Sequence, residues 1–411
     1  MIFPGKKPQG KRWADCVFGS MQVSPQITIN QTQFRTTERI RVSPVVTAGH
    51  LRRFAQFPYQ LYGHHPYWVP PILQQEINTL DLMRNPAFDR AEVQMWMAWR
   101  GKRMVGRIAG ILLSQEKFGQ RGKEARFGWF DVEDDAEAAR ALLRELTDWA
   151  RINGVSVLKG PYGFTGLDKA GLLVEGFREK GTASTLYNYP YYEKLLLDNG
   201  FSTEEEWVEY EIMVPDQVPD KINRMAQLVQ ERNGFTSVSL NNRSSIRRHA
   251  KAVFKLILDC YTELPGFVRL SERQQSFYLK RYQRFLQPGY LSLVLDRDQQ
   301  PAGFGIVMPS LTNALQQIQG RSGWRELMVL REALQQNDRA ELGLIGVRPD
   351  LRGKGVTALV FQPILAHMIQ QGIRRVESNP ELISNQAVQN LWNQFSLRQH
   401  KRRRTYIRSL R

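Results

Sequence analysis

Leu342-Gly343-Leu344-Ile345-Gly346-Val347-Arg348-Pro349-Asp350-Leu351-Arg352-Gly353-Lys354-Gly355-Val356 reads as an apolar strand that runs into a basic glycine loop and then directly into a helix. The strand is expected over Glu341–Val347 and the helix over Val356–Gln371, where the apolar spacing turns helical. Glycines at 353 and 355 can adopt positive φ, which lets successive backbone N–H groups converge on one point. The helix start adds N–H groups without intrahelical acceptors and the positive end of a dipole. With Arg352 and Lys354 supplying charge, the segment makes a cradle for a pyrophosphate.

Several phosphate binders use loops of this kind. A P-loop needs Ser or Thr directly after Gly-Lys, and here Gly355 follows Lys354. The dinucleotide fingerprint G-x-G-x-x-A is met by Gly353, Gly355 and Ala358, and Glu377 lies about 20 residues on. That fingerprint follows its strand almost at once, whereas Arg348 to Leu351 intervene here and a hairpin precedes the strand. Residue types and order together resemble the coenzyme A loop of the GNAT superfamily of N-acetyltransferases, in which V-x-P is followed by R-G-x-G. Thr357 stands where that family has glycine or alanine. Asn385-Gln386-Ala387 with Leu391-Trp392 is similar to the family's N-x-A…L-Y segment. The whole chain resembles bacterial double-GNAT proteins, with Tyr67-Trp68-Val69-Pro70-Pro71, Gly171 to Phe177 and Lys401 to Tyr406 as its signatures.

Working outward, both halves show the same order of strand, helices, hairpin, strand, helix, strand, helix, strand. The second half has Thr236–Leu240, the hairpin Tyr290–Leu295 and Pro301–Met308, then a helical insertion Leu311–Gln336 broken at Gly320. It closes with strand Arg374–Ser378, helix Gln386–Leu397 and strand Arg404–Leu410. The first half has the hairpin Val93–Trp99 and Met104–Leu113, strand Arg126–Asp131, helix Ala136–Asn153, helix Tyr191–Asn199 and strand Trp207–Val214. The expected fold class is α/β (mixed α+β): tandem GNAT-like domains, each a mixed, mostly antiparallel sheet flanked by helices. Residues 1–40 are expected to be a disordered basic extension, 41–215 a GNAT-like domain without a coenzyme A loop, and 216–411 one with it. The first half's equivalent loop, Asp131-Val132-Glu133-Asp134-Asp135, would repel a pyrophosphate, and its acids suit a helix N-terminus.

The resemblance implies an acetyl-CoA (acyl-CoA)-dependent N-acyltransferase that acts on an unknown amine by direct transfer in a ternary complex, with acetyl-CoA as co-substrate. Cofactor contacts are then expected from Val347, Arg352, Gly353, Lys354, Gly355, Val356, Thr357, Asn379 and Asn385. Asn385 also suits a helix cap. Val347 would turn its N–H toward the thioester carbonyl. Glu341, at the start of that strand and on the same face as Val347, is the candidate general base. The position of the family's acid tyrosine is Trp392, and an indole cannot protonate a departing thiolate; Tyr406 on the last strand is the candidate replacement. The alternative reading keeps the fold without turnover, as a coenzyme A-binding module or degenerate scaffold. In the first half, the Gly160 to Gly166 loop and the Tyr187 to Tyr192 cluster are candidates for an acceptor site.

Bulk composition agrees with a globular chain: 42% hydrophobic and 24% charged residues over 411 positions. No apolar run approaches a membrane span. Cys16 and Cys260 are the only cysteines, which excludes a cysteine metal site and a disulfide framework, so a cytoplasmic location is expected. The histidines have no metal-like spacing, so no metal is assigned. A formal charge of +17 calls for solubility or an anionic partner. Lys6 to Arg12, Arg243 to Lys255 and Lys401 to Arg404 concentrate it, and nucleic acid or tRNA is the macromolecular partner they suggest. No helix-turn-helix, zinc-finger or RNA-binding aromatic motif accompanies them. Oligomeric state is not legible.

Overall fold

The computed structural model describes residues 38–113 and 124–411, apart from positions 263, 265 and 284. The expected N-terminal extension falls, through residue 37, outside the described residues. The first half contains β1 (Ile40–Pro44), α1 (Ala48–Tyr62), α2 (Leu73–Leu80), β2 (Ala91–Arg100), β3 (Arg103–Leu113), β4 (Glu124–Val132), α3 (Ala136–Ile152), β5 (Val157–Gly160), β6 (Leu172–Glu175), α4 (Tyr191–Leu197) and β7 (Ser202–Met213). The second contains α5 (Asp220–Asn233), β8 (Thr236–Val238), α6 (Arg243–Tyr261), α7 (Glu272–Tyr282), β9 (Leu291–Leu295), β10 (Pro301–Pro309), α8 (Thr312–Ile318) and α9 (Trp324–Gln335). It continues with β11 (Arg339–Val347), α10 (Val356–Gln370), β12 (Arg375–Glu377), β13 (Glu381–Leu382), α11 (Gln386–Gln389) and β14 (Leu397–Ser409).

All these strands join one mixed, mostly antiparallel sheet in the order β1-β2-β3-β4-β5-β14-β7-β12-β11-β10-β9-β8, with β6 on β14 and β13 on β7. Each half has one parallel pair, β4 with β5 and β11 with β12. The closing strands are exchanged. β14 lies against β5 of the first half, and β7 lies against β12 of the second. The two exchanged strands pair with each other, Arg403 opposite Trp207 and Arg402 opposite Val208, so the sheet runs unbroken across the molecule.

Helices cover both faces of the second half. On one face α10 buries Val356, Leu359, Val360, Ile364 and Leu365. It can lie directly on β10 because Gly305 presents no side chain; a Cβ there would sit 2.7 Å from Val360. On the other face α6 packs Ile246, Leu256, Ile257 and Cys260 against Leu291, Leu293 and Phe304. In the first half α3 buries Leu142, Leu143 and Leu146 in a core shared with Phe127, Leu158 and Tyr406. Asp135 caps that helix, its side chain accepting from the N–H groups of Glu137 and Ala138.

Two segments differ from expectation. The expected helix Gln386–Leu397 is one turn of α-helix followed by a 3-10 turn over Asn390–Trp392. It ends there because Trp392 turns inward, buried against Phe361 at a 5.4 Å ring separation. The final strand begins at Leu397, well before Arg404. Its Lys401 to Arg404 run hides the alternation that marks a strand, since Lys401 and Arg403 are themselves the buried residues. The insertion breaks as expected, with Gln319 and Gly320 both left-handed between α8 and α9.

Candidate functional site

The loop after β11 holds its sequence-expected shape. Pro349–Leu351 forms a 3-10 turn, and Gly353 and Gly355 have φ of +77° and +79°. Gly355 is the N-cap of α10, without a side-chain cap. Among the described residues, the N–H groups of Gly353, Gly355, Val356 and Thr357 have no protein acceptor. Four such donors thus lie within five residues at a helix start, and Lys354 stands exposed beside them. Nothing lies within 4 Å of a Cβ placed on Gly353, so that side of the loop is open. Two of the local arginines are engaged within the fold. Arg348 pairs with Asp296 and Asp350 at 2.8 Å, and Arg352 donates to the Cys260 carbonyl at 3.3 Å.

β11 and β12 run side by side only from Arg339–Glu341 against Arg375–Glu377. Beyond Glu341 the strands part, and β11 continues to Val347 paired with β10 alone. The Arg348 N–H donates to Ala302, which fixes the phase: alternate residues Leu344 and Gly346 address β10, while Gly343, Ile345 and Val347 turn their backbone groups into the gap. The gap-side carbonyls have partners, Gly343 from Asn379 Nδ2 and Ile345 from the Tyr261 hydroxyl at 3.0 Å. Val347 thus presents its N–H to the gap, next to the glycine loop. Asn385 N-caps α11, accepting from the Val388 N–H at 3.4 Å.

Glu341 sits where the strands part. It is buried, and Oε1 accepts from Ser310 at 2.7 Å and Thr312 at 3.2 Å. Burial raises its pKa, with those two hydroxyls opposing. Glu377 lies opposite it on β12, pushed up to about 7 by burial against the pull of Lys401, which donates to it. Lys401 and Arg403 on β14 also share the fully buried Glu209 of β7. His400, beside them, is pushed down to about 4, first by burial and then by Lys401. Lys169, in the loop leading to β6, is pushed down to about 8 by burial, with Glu76 and Glu341 opposing. Sequence reading missed this cluster because its members are far apart in the chain. No signal set Lys401 and Arg403 apart, since Arg402 and Arg404 beside them are equally cationic.

Trp392, at the position of the family's tyrosine, donates Nε1–H to Glu381 Oε1 at 2.7 Å. Burial pushes the Glu381 carboxyl up to about 7, with that bond and Ser378 opposing. Tyr406 is not brought to the gap. It is wholly buried in the first-half core, opposite Gly160 of β5, and its hydroxyl donates to Glu193 at 2.8 Å. The acidic first-half loop carries no cradle: Asp131 pairs with Arg107 and Asp135 with Arg100, both at 2.7 Å. The hydroxyls of the tyrosine cluster are spent within the fold, Tyr191 on Val132, Tyr189 on Leu61 and Tyr192 on Tyr62. Among the described residues no group of three or more His, Cys, Asp or Glu is arranged to hold a metal.

Comparison with known proteins bears on the same half of the chain. Residues 250–396 match the model of the acetyltransferase (GNAT) family. A protein named bacterial ceramide synthase, from Caulobacter vibrioides (strain NA1000 / CB15N), is 24% identical over 91% of this chain and 99% of its own length. Protein YghO of Escherichia coli (strain K12) is 22% identical over 88% of this chain and 93% of its own. Among solved structures, a tandem GNAT protein from the clavulanic acid biosynthesis pathway superposes with a TM-score of 0.53 at 15% identity, covering 91% of this chain and 99% of that one. The chain thus shares the fold of a tandem GNAT protein, and its residues 250–396 match the acetyltransferase (GNAT) family.

Proposed function

We propose that the second half binds acyl-CoA, acetyl-CoA among its forms, and passes the acyl group directly to an amine held in the same ternary complex. The observation that carries this reading is the unpaired edge of β11 ending in a loop with four free N–H donors. The residues fit the group: the donors and the dipole of α10 suit a pyrophosphate, and the open side of Gly353 leaves room for it. Lys354 and Arg352 add positive charge at the rim. Bound there, acyl-CoA supplies an activated thioester. Val347 N–H, on the gap edge, would polarise a carbonyl oxygen. Asn379, which donates to Gly343 on the gap edge, is the proposed contact for the arm of the cofactor, with Asn385 as a second candidate.

Proton handling falls to buried carboxyls whose pKa is raised. Glu341 is the proposed base, burial making its carboxylate a stronger proton acceptor than an ordinary glutamate. Glu381 can do what an indole cannot. With a pKa of about 7, a large share of it is protonated at pH 7 and able to donate to a departing thiolate. Trp392 then orients Glu381 rather than acting itself. The reaction belongs in the cytoplasm, where acyl-CoA is kept. The relative named ceramide synthase supports placing long-chain amino alcohols among the candidate acceptors.

Trp392 also favours one second reading, a coenzyme A-binding scaffold without turnover. Calorimetric titration with coenzyme A, acetyl-CoA and a long-chain acyl-CoA, on the full chain and on Gly353→Glu, separates the two when followed by a free-thiol assay across an amine panel. Binding lost in Gly353→Glu together with amine-dependent thiol release is the expected result. Binding without release to any amine selects the scaffold, and no binding by the folded parent ends both readings.

A further inference from the structure

Helix α9 has a face that the fold leaves uncovered. It packs on the insertion core through Leu330, with Val329, Ala333 and Leu334 partly buried beside it. Trp324, Leu327 and Met328 point elsewhere, 74%, 54% and 47% exposed. Their i, i+3, i+4 spacing puts the three on one side of the helix, so they form a continuous apolar stripe rather than scattered exposure. Arg325, Arg331 and Glu332 are exposed on the same helix and Glu326 is half-buried, so the helix itself is close to neutral. A large aromatic with aliphatic neighbours on one exposed face suits a helix that lies in a membrane interface, and the basic groups come from the adjoining groove.

A second feature adjoins the stripe. Just before α9, the turn at Gln319 to Ser322 closes one side of a groove of about 540 Å³, whose other walls are α1 and α2. Arg52 from α1 and Arg321 from the turn line it, together with glutamines from both helices, and no lining residue is acidic. Among the described residues neither guanidinium group makes an ion pair or hydrogen bond; the Arg321 backbone N–H donates to Ile318 at 2.9 Å. The turn is held in place, since the Gly320 carbonyl accepts from the Leu73 N–H at the start of α2. Two free guanidiniums in a polar groove, a few residues from an exposed tryptophan, suit a phosphate attached to an apolar body.

We propose that α9 and this groove form one docking face for an anionic lipid bilayer, with Trp324, Leu327 and Met328 in the interface and Arg52 and Arg321 on lipid phosphates. The face attaches without spanning; among the described residues no helix is long and apolar enough to cross a membrane. The net charge of +17 brings the chain toward such a surface. The inference does not depend on the proposed acyl transfer, and it would bring an apolar amine and the protein to the same surface.

The test is flotation of the full chain with vesicles of phosphatidylcholine alone and with about a third phosphatidylglycerol, at roughly 0.1 M salt. The parent should float with the anionic vesicles and much less with the neutral ones. Trp324→Ser, Leu327→Ser, Met328→Ser combined should lower the partition coefficient roughly tenfold or more without altering urea stability. Arg52→Glu with Arg321→Glu should lower it at least as far on anionic vesicles, each lost arginine counting for about fivefold. A parent that floats with neither vesicle overturns the proposal, as does a triple serine variant that floats like the parent. A dimer in sedimentation that the serine variant dissociates would also overturn it, by making a second copy the occupant of the stripe.

Discussion

Gly353 and Gly355 share a backbone conformation but should respond differently to the same substitution. Both have positive φ, so alanine at either costs about 1–2 kcal/mol. About 0.4–1 kcal/mol of that is offset by the reduced freedom of the unfolded chain. The surroundings then separate them. A Cβ on Gly353 meets nothing within 4 Å, whereas one on Gly355 would lie 2.6 Å from Val229 Cγ2 and 3.3 Å from Met225 Sδ. Val229 is buried on α5, so α5 must shift, adding about 1–3 kcal/mol of overpacking. Gly353→Ala is thus expected to lose about 1 kcal/mol and Gly355→Ala about 2–4 kcal/mol in urea unfolding followed by far-UV circular dichroism. Gly353→Glu, with its carboxylate in the open space by the N–H donors, should remain nearly as stable as Gly353→Ala. It should nonetheless weaken acyl-CoA binding by about tenfold or more, because like charges oppose each other at close range. Equal destabilisation at the two positions would refute the packing argument. Parent-like acyl-CoA affinity in Gly353→Glu would refute the cradle.

Glu381 offers a pH test. Its folded pKa, raised from the ordinary 4.5 to about 7, means that stability present below pH 4.5 is lost as pH rises toward 7, on the order of 3 kcal/mol. Glu381→Gln should remove that much of the slope between pH 4.5 and 7.5 in urea melts, and an unchanged slope would place the carboxyl in a wetter setting. Glu209→Ala should cost about 3–5 kcal/mol, since it strips the buried Arg403 and Lys401 of a shared anion, and a loss under 1 kcal/mol would show the seam to be hydrated. Tyr406→Phe should lose about 1–2 kcal/mol through its bond to Glu193 and leave any acyl transfer rate intact; a large fall in kcat at unchanged stability would return Tyr406 to the chemistry. The exposed cations of α6, among them Arg247, Arg248, Lys251 and Lys255, are the one long basic stretch of the described residues not folded into the sheet. Oligonucleotide binding that falls steeply with salt, and flattens when these are neutralised, would support a nucleic-acid partner.

What could be read in advance follows from the range of the forces involved. The β11–loop–α10 unit is local: an apolar run, Pro349, two glycines and a helix start lie within one stretch, and each has its meaning from its own neighbours. The same holds for Asp135 capping α3 and Asn385 capping α11. Glu341 was expected at the strand start and is the third residue of β11, and its burial under Ser310 and Thr312 depends on a hairpin and an insertion distant in sequence. Glu381 was not recognisable because its altered acidity comes from burial, which the bond from Trp392 only partly offsets, and no local pattern announces either. Tyr406 was misjudged for a related reason. Position on a last strand says nothing about which half that strand joins.

The exchange of β7 and β14 gives the charged run in the last strand its physical role. In a seam of apolar residues, a slip along the pair would trade one set of contacts for a similar set. Here Arg403 and Lys401 are buried and share Glu209, Lys401 also reaches Glu377, and Arg404 is held by Glu193 and Glu206. A one-residue slip would turn these side chains to the opposite face and strand buried charges without partners, each at a cost of several kcal/mol. The network therefore selects the register of the two exchanged strands more than it adds to total stability. That register also sets the site. Glu377 takes its neighbours from Glu211 on β7 and Glu341 on β11, so the point at which β11 and β12 part depends on where β7 seats. Lys401 and Arg403, which read from the sequence as part of a basic tail, belong instead to the structure that holds the gap in place.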